Sequence, residues 1–171
     1  MNARILMRAA VCVALVAMSG CAGYSWKSSV PEEMRSVAVP TFRNESNLTG
    51  LGVAVAKQIR REFQREGTFR LAGVADCAVE IQGVVKSSSH KTVAYDRSVS
   101  TRMREYDLHA VAEVSFIDKK SGKVLVDNRR YRARTTFLAG DDILTGERDA
   151  SGRLAEDLAR QIVDDVLNCK W

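Results

Sequence analysis

Between Tyr106 and Phe116 every second residue is apolar. Tyr106, Leu108, Ala110, Ala112, Val114 and Phe116 alternate with Asp107, His109, Glu113 and Ser115. Successive side chains of a strand point to opposite faces, so this period of two predicts a strand with one buried face and one wet face. The run Asp118 to Lys123, with Gly122 supplying backbone freedom, then turns the chain, and Val124 to Phe137 returns as a partner strand. The pair predicts a long antiparallel hairpin. Val79, Ile81 and Val85, set against Glu80 and Gln82, predict an extended segment from near Cys77 that fades at the polar run Lys86 to Lys91. Val37 and Val39 before Pro40 predict a short strand that the proline ends or edges. The segment Thr68 to Gly73 predicts a second short strand.

Two stretches repeat at a period near four instead. Val55, Ile59 and Phe63 recur while Lys57, Arg60, Arg61 and Arg65 fall elsewhere around the wheel, which predicts an amphipathic helix ended by Gly67. Leu154, Leu158, Ile162 and Val166, joined by Ala155, Ala159 and Val163, predict a second helix that runs to Asn168. Each helix has one stripe to bury, and a sheet with one dry face supplies the surface. The expected fold is α+β, a two-layer sandwich with two helices packed on one face of a mostly antiparallel four- to five-stranded sheet.

The N-terminus follows neither pattern. The apolar run from Ala9 to Met18 is half the length of about 20 residues that crosses a bilayer, and Arg4 and Arg8 precede it with no acid nearby. This is the layout of a secretory signal. Ser19 and Gly20 lead directly into Cys21, which resembles the bacterial lipobox, with Met18 where Leu is usual. The resemblance implies a diacylglyceryl thioether on Cys21, cleavage before it, and acylation of the new terminus. Such multiple chains hold a protein on a bilayer where one chain is marginal. The alternative is an ordinary signal peptide followed by a chance cysteine. Ala22, in place of Asp, favours the outer membrane by similarity to bacterial sorting rules. The expected organisation is therefore a signal peptide over 1–20, a lipidated tether over 21–33 and a single domain over 34–171, of a size that supports one core.

The formal charge of +5 includes Arg4 and Arg8, so the mature chain is only mildly basic and charge alone does not argue for nucleic acid. Cys12 leaves with the signal and Cys21 carries lipid; Cys77 and Cys169 remain as a candidate disulfide, or as two separate buried thiols. The two histidines, His90 and His109, stand at no ligand spacing from either cysteine, so no metal is expected. No phosphate-binding glycine loop, zinc-protease helix or nucleophile elbow occurs. Asp141 and Asp142 read as the loop before a helix N-terminus. His109 reads as a rim histidine, since neither a nucleophile nor an orienting acid accompanies it. The chain is expected to be no enzyme and to need no cofactor.

One patch suggests binding. Arg130, Arg132 and Arg134 project from one side of the returning strand, with Arg129 on the other side beside Tyr131. Three guanidinium groups in a row suit phosphate or carboxylate, which makes these arginines candidate contacts for lipopolysaccharide. The alternative is a solvated sheet face on which they pair with acids such as Glu113 or Asp107.

Taken in order, the segments "CAGYSW", "RSVAVPTFRNESN", "GLGVAVAKQIRREFQREGTFRL", "ADCAVEIQGVV", "REYDLHAVAEVSFIDKKSGKVL" and "GRLAEDLARQIVDDVL" resemble the LPS-assembly lipoprotein family, LptE, over essentially the whole mature chain. Members usually show Cys-Gly-Tyr or Cys-Gly-Phe after processing; here Ala22 intervenes before Gly23 and Tyr24. The resemblance implies a two-helix, mostly antiparallel sheet domain anchored at the inner leaflet of the outer membrane. It also implies a partner and plug of an LptD-like outer-membrane β-barrel that helps lipopolysaccharide reach the surface. The family has no catalytic residues to carry over, and only Cys21 matches a functional position. A lumen plug needs polar surfaces, which this sequence keeps on its strand sides and helix backs. The alternative reading is a lipoprotein activator of a periplasmic cell-wall synthase. Such proteins use a long linker to cross the periplasm, whereas here roughly a dozen residues separate Cys21 from the first strand.

Overall fold

The computed structural model describes residues 30–94, 104–139, 142–169 and 171. The expectations for the signal peptide, for Cys21 and for most of the tether lie outside the described residues. A short 3-10 turn, Glu32–Met34, leads into β1 (Ser36–Ala38) and β2 (Arg43–Asn44). Then come α1 (Leu51–Glu66), β3 (Arg70–Leu71), β4 (Val79–Ala94), β5 (Arg104–Asp118), β6 (Val124–Ala139) and α2 (Ile143–Leu167).

The strands form one sheet in the order β3-β1-β4-β5-β6, with β2 also paired to β4. This corrects the expected sheet in two ways: among the described residues it has six strands, and it is mixed. β4, β5 and β6 are antiparallel, but β1 pairs parallel with both β3 and β4, and β2 pairs parallel with β4. The cause is α1. A helix between two neighbouring strands carries the chain back to its starting end, so β3 must run parallel to β1. β1 and β2 are two contacts of one extended stretch with β4, Val37 beside Val79 and Arg43 beside Val84, interrupted where Pro40 has no N–H to donate.

The helices lie together on one face, as expected. The even positions of β5 from Tyr106 to Phe116 are buried, and they share a single core with Val55, Ile59 and Phe63 of α1 and Leu154, Leu158, Ile162 and Val166 of α2. Each large side chain buried there contributes about 1.5–3 kcal/mol. Gly67 ends α1 in the left-handed region at φ 82°, its N–H donating to Phe63 O, as its position predicts. α2 begins earlier than its apolar stripe, because the Asp142 carboxylate accepts from the backbone N–H groups of Leu144 and Thr145.

Phe42 joins the two parts of the sheet. Its ring lies against Gly83 of β4, where an added Cβ would stand 2.2 Å from a ring carbon. Its carbonyl lies against Gly52 of α1, where a Cβ would stand 2.3 Å from the oxygen. Only hydrogen at both positions lets Phe42 enter the core.

The polar run Lys86 to Lys91 does not end β4, which continues to Ala94 with Ser87 opposite Val111 and Lys91 opposite Asp107. An irregularity between Val85 and Ser87 shifts the register, leaving Lys86 as the extra residue. Pairing with β5 holds this polar half where its own composition would not.

Candidate interaction surface

The sheet face turned away from the helices is polar and carries the arginine row. Its geometry depends on a bulge in β6. Val126 stands opposite Phe116 but Arg129 stands opposite Val114, so Asp127 and Asn128 together face Ser115. Asn128 takes a left-handed φ of 43°, and its N–H donates to Ser115 Oγ at 2.9 Å. Asn tolerates that conformation better than most side chains. The extra residue exchanges the faces. Beyond it Tyr131, Ala133 and Phe137 turn into the core, while Arg130, Arg132 and Arg134 turn outward.

Carboxylates of β5 hold two of the three arginines. Arg130 Nε donates to Glu113 Oε1 at 2.7 Å, directly across the pair. Arg134 grips Asp107 with two bonds, Nη2 to Oδ2 at 2.6 Å and Nε to Oδ1 at 3.2 Å. The arginine side chains remain 63% and 61% exposed, so each pair contributes at most about 1 kcal/mol and chiefly orients its guanidinium. Arg132 stands opposite Val111 and forms no ion pair with a described residue. Among the described residues it is the member of the row with no carboxylate partner.

Below the row lies a shallow depression of about 450 Å³ lined by Thr41, Arg43, Gln82, Glu113, Ser115 and Asn128. Glu80 closes its floor, only 5% exposed, with bonds from Lys119 Nζ at 2.8 Å and Gln82 Nε2 at 2.9 Å. The Lys119 bond holds the Glu80 carboxyl below its ordinary value and raises the lysine above its own.

On the helix side, Asp165 of α2 accepts from Arg129 and from the Tyr131 hydroxyl. Burial, and then that bond, push the Tyr131 phenol well above its usual range. Arg129 and Tyr131 thus share the face opposite the arginine row, as expected, and tie β6 to the last turns of α2. Arg153 and Gln161 of α2 also reach β6, donating to the carbonyls of Thr136 and Arg132. No local pattern marked these contacts, because they join segments 17 and 29 residues apart.

Cys77 and Cys169 stand as two separate thiols, one of the two alternatives their sequence positions leave open. The two lie in different surroundings. Cys77 is buried before β4, near Glu80 and Lys119, with Sγ donating to Val74 O at 3.5 Å; burial pushes this thiol up. Cys169 follows the end of α2, its N–H donating to Val166 O. His109 is half-buried on the outer face opposite Arg134. Among the described residues no cluster of His, Cys, Asp or Glu could hold a metal ion. No helix among them is long and apolar enough to cross a membrane.

No curated protein matches the chain. Among solved structures, a minor lipoprotein from Acinetobacter baumannii superposes with a TM-score of 0.50 at 13% identity, covering 78% of this chain and 93% of that one. A Xanthomonas campestris protein superposes at 0.48 with 12% identity, covering 81% and 88%. At 13% identity the likeness to the Acinetobacter protein is one of fold. The model of the family described as LptE, Lipopolysaccharide-assembly, matches residues 34–166, which span the sheet from β1 and nearly all of α2. The chain belongs to the LptE lipopolysaccharide-assembly family.

Proposed function

We propose that this protein is a lipid-anchored outer-membrane component that acts as partner and plug of an LptD-like β-barrel in lipopolysaccharide transport. The observation that carries this reading is the family match over residues 34–166. The lipobox pattern at Cys21 supplies the anchor, and the anchor limits the reach of the domain. Val30 is already buried, so the nine residues after Cys21 span at most about 30 Å even when fully extended. The domain stays beside the membrane that holds its lipid, which favours a partner in that membrane over a synthase across the periplasm.

The role is one of contact and shape rather than catalysis. A lumen is polar, and the charged outer sheet face suits such an enclosure. Within it, Arg132 is the contact for an anionic group of lipopolysaccharide, flanked by Arg130 and Arg134 in their carboxylate grips. Purification of the tagged full-length protein from native membranes in mild detergent tests the reading. A large outer-membrane barrel should accompany it in near-equal amount; recovery of the protein with no barrel would count decisively against the partnership.

A further inference from the structure

The two edges of the sheet are finished differently. β3 is two residues long, too short to template another strand. β6 runs for sixteen residues and, among the described residues, has a neighbouring strand on one side only. Antiparallel pairing turns the main-chain groups of alternate residues toward the neighbour and leaves the others facing outward. The outward set is marked by the carbonyls that α2 takes: Gln161 Nε2 donates to Arg132 O at 2.9 Å and Arg153 Nη2 to Thr136 O at 2.8 Å. The same parity places the N–H and C=O of Arg130, Arg134 and Leu138 outward. The two donors stand eight positions apart on the helix, about 12 Å, and the two acceptors four apart on the strand, about 13 Å. α2 thus lies along the edge and presents side-chain donors where a neighbouring strand would present N–H groups.

We propose that the β6 edge from Arg130 to Leu138 is a docking site for an extended segment of a partner protein that carries carboxylates at alternate positions. The segment adds to the sheet as a further strand and displaces the side chains of Arg153 and Gln161. Both displaced bonds are solvent-exposed, so exchange sacrifices little, while the outward N–H groups of the edge gain acceptors. Charge selects the occupant. A second copy pairing antiparallel about Arg132 sets Arg132 against its own equivalent and Arg130 against Arg134, and like charges directly opposite repel. Carboxylates at those positions reverse the sign of every pair, and the central one meets Arg132, which has no ion pair among the described residues.

The test uses the full mature chain and a fluorescent peptide of roughly ten residues alternating Glu with Val, beside its Lys-for-Glu counterpart. The acidic peptide should bind and the basic one should not. Arg153→Ala with Gln161→Ala should tighten binding about fivefold, because the edge is already open. Thr136→Pro removes an outward N–H and leaves the ladder to β5 intact, and should weaken binding about tenfold or more. An acidic peptide N-methylated along the edge-facing side gives the same readout without altering the protein, and it too should fail to bind. Equal affinity for Thr136→Pro and wild type, or for the N-methylated and parent peptides, would reduce the effect to charge attraction and overturn the proposal. So would equal binding of both charge types, or no binding to the opened variant. Self-association of that variant in sedimentation, in place of peptide binding, would make the occupant a second copy.

Discussion

The sheet has two unlike halves. β4, β5 and β6 are long and antiparallel, and each pairs with the next strand in the chain, so each residue's face is set by the strand period. β1, β2 and β3 are two or three residues each and pair parallel, β1 and β2 with β4, and β3 with β1 after α1 has crossed over. The first half carries its own specification; the second borrows it from α1 and Phe42. The difference teaches where the fold is fragile. Short parallel strands contribute few ladder bonds, so their position rests on side-chain packing at the junction.

Gly83→Val attacks that junction and should have the largest effect. The branched side chain occupies the space of the Phe42 ring and must expel it from the core. Losing a buried phenyl costs about 3–5 kcal/mol, measurable as a lower urea midpoint. Phe42→Ala should cost a similar amount alone, and the double variant far less than the sum, because both remove one contact. Additive losses would mean that Phe42 and Gly83 do not form the joint between the halves.

A second test falls on the far side of the same junction, where Glu80 of β4 meets Lys119 of the β5–β6 turn. Lys119→Met leaves a nearly buried carboxylate with Gln82 as its remaining side-chain donor, and should cost about 1–2 kcal/mol near neutral pH. The pH dependence carries the signature. The folded carboxyl is held below its ordinary value of 4.5, so its stabilising contribution is complete above that value and is lost as pH falls through the folded one. Wild type should therefore lose more stability than Lys119→Met as the pH is lowered from 5 toward 3. Parallel pH profiles would show that the pair does not couple to folding.

What the amino-acid pattern reveals follows the same division. Even positions of β5, the two helical stripes and the outward direction of Arg130, Arg132 and Arg134 are all legible, because each needs only a local period. The Asn128 bulge sets which face the row takes, but it lies before the row begins and leaves the alternation within it intact. The parallel pairings of β1 and β2 with β4 are not legible, because they join residues some 40 apart across a helix. The continuation of β4 through Ser87, Ser88 and Ser89 is hidden for a related reason: its cause is pairing with β5, not its own polar residues. In the candidate site, Glu113 and Asp107 are legible as partners of the arginines. Gln161 and Arg153 are not, because their reach to β6 depends on how α2 lies over the finished sheet.

The smallest effects belong to the outer face, and they separate positioning from stability. Arg130→Ala and Arg134→Ala each remove one exposed ion pair, so each should change the folding free energy by no more than about 1 kcal/mol. Arg132→Ala, which breaks no ion pair with a described residue, should leave stability within about 0.5 kcal/mol of wild type. Binding should rank the other way. Arg132 offers its whole charge to an anionic partner, while Arg130 and Arg134 share theirs with Glu113 and Asp107, so Arg132→Ala should weaken capture by immobilised lipopolysaccharide most and lower its salt dependence. Matched urea melts and binding isotherms for the three variants decide the matter. If all three weaken binding equally, the row acts as undifferentiated charge and the carboxylate grips orient nothing.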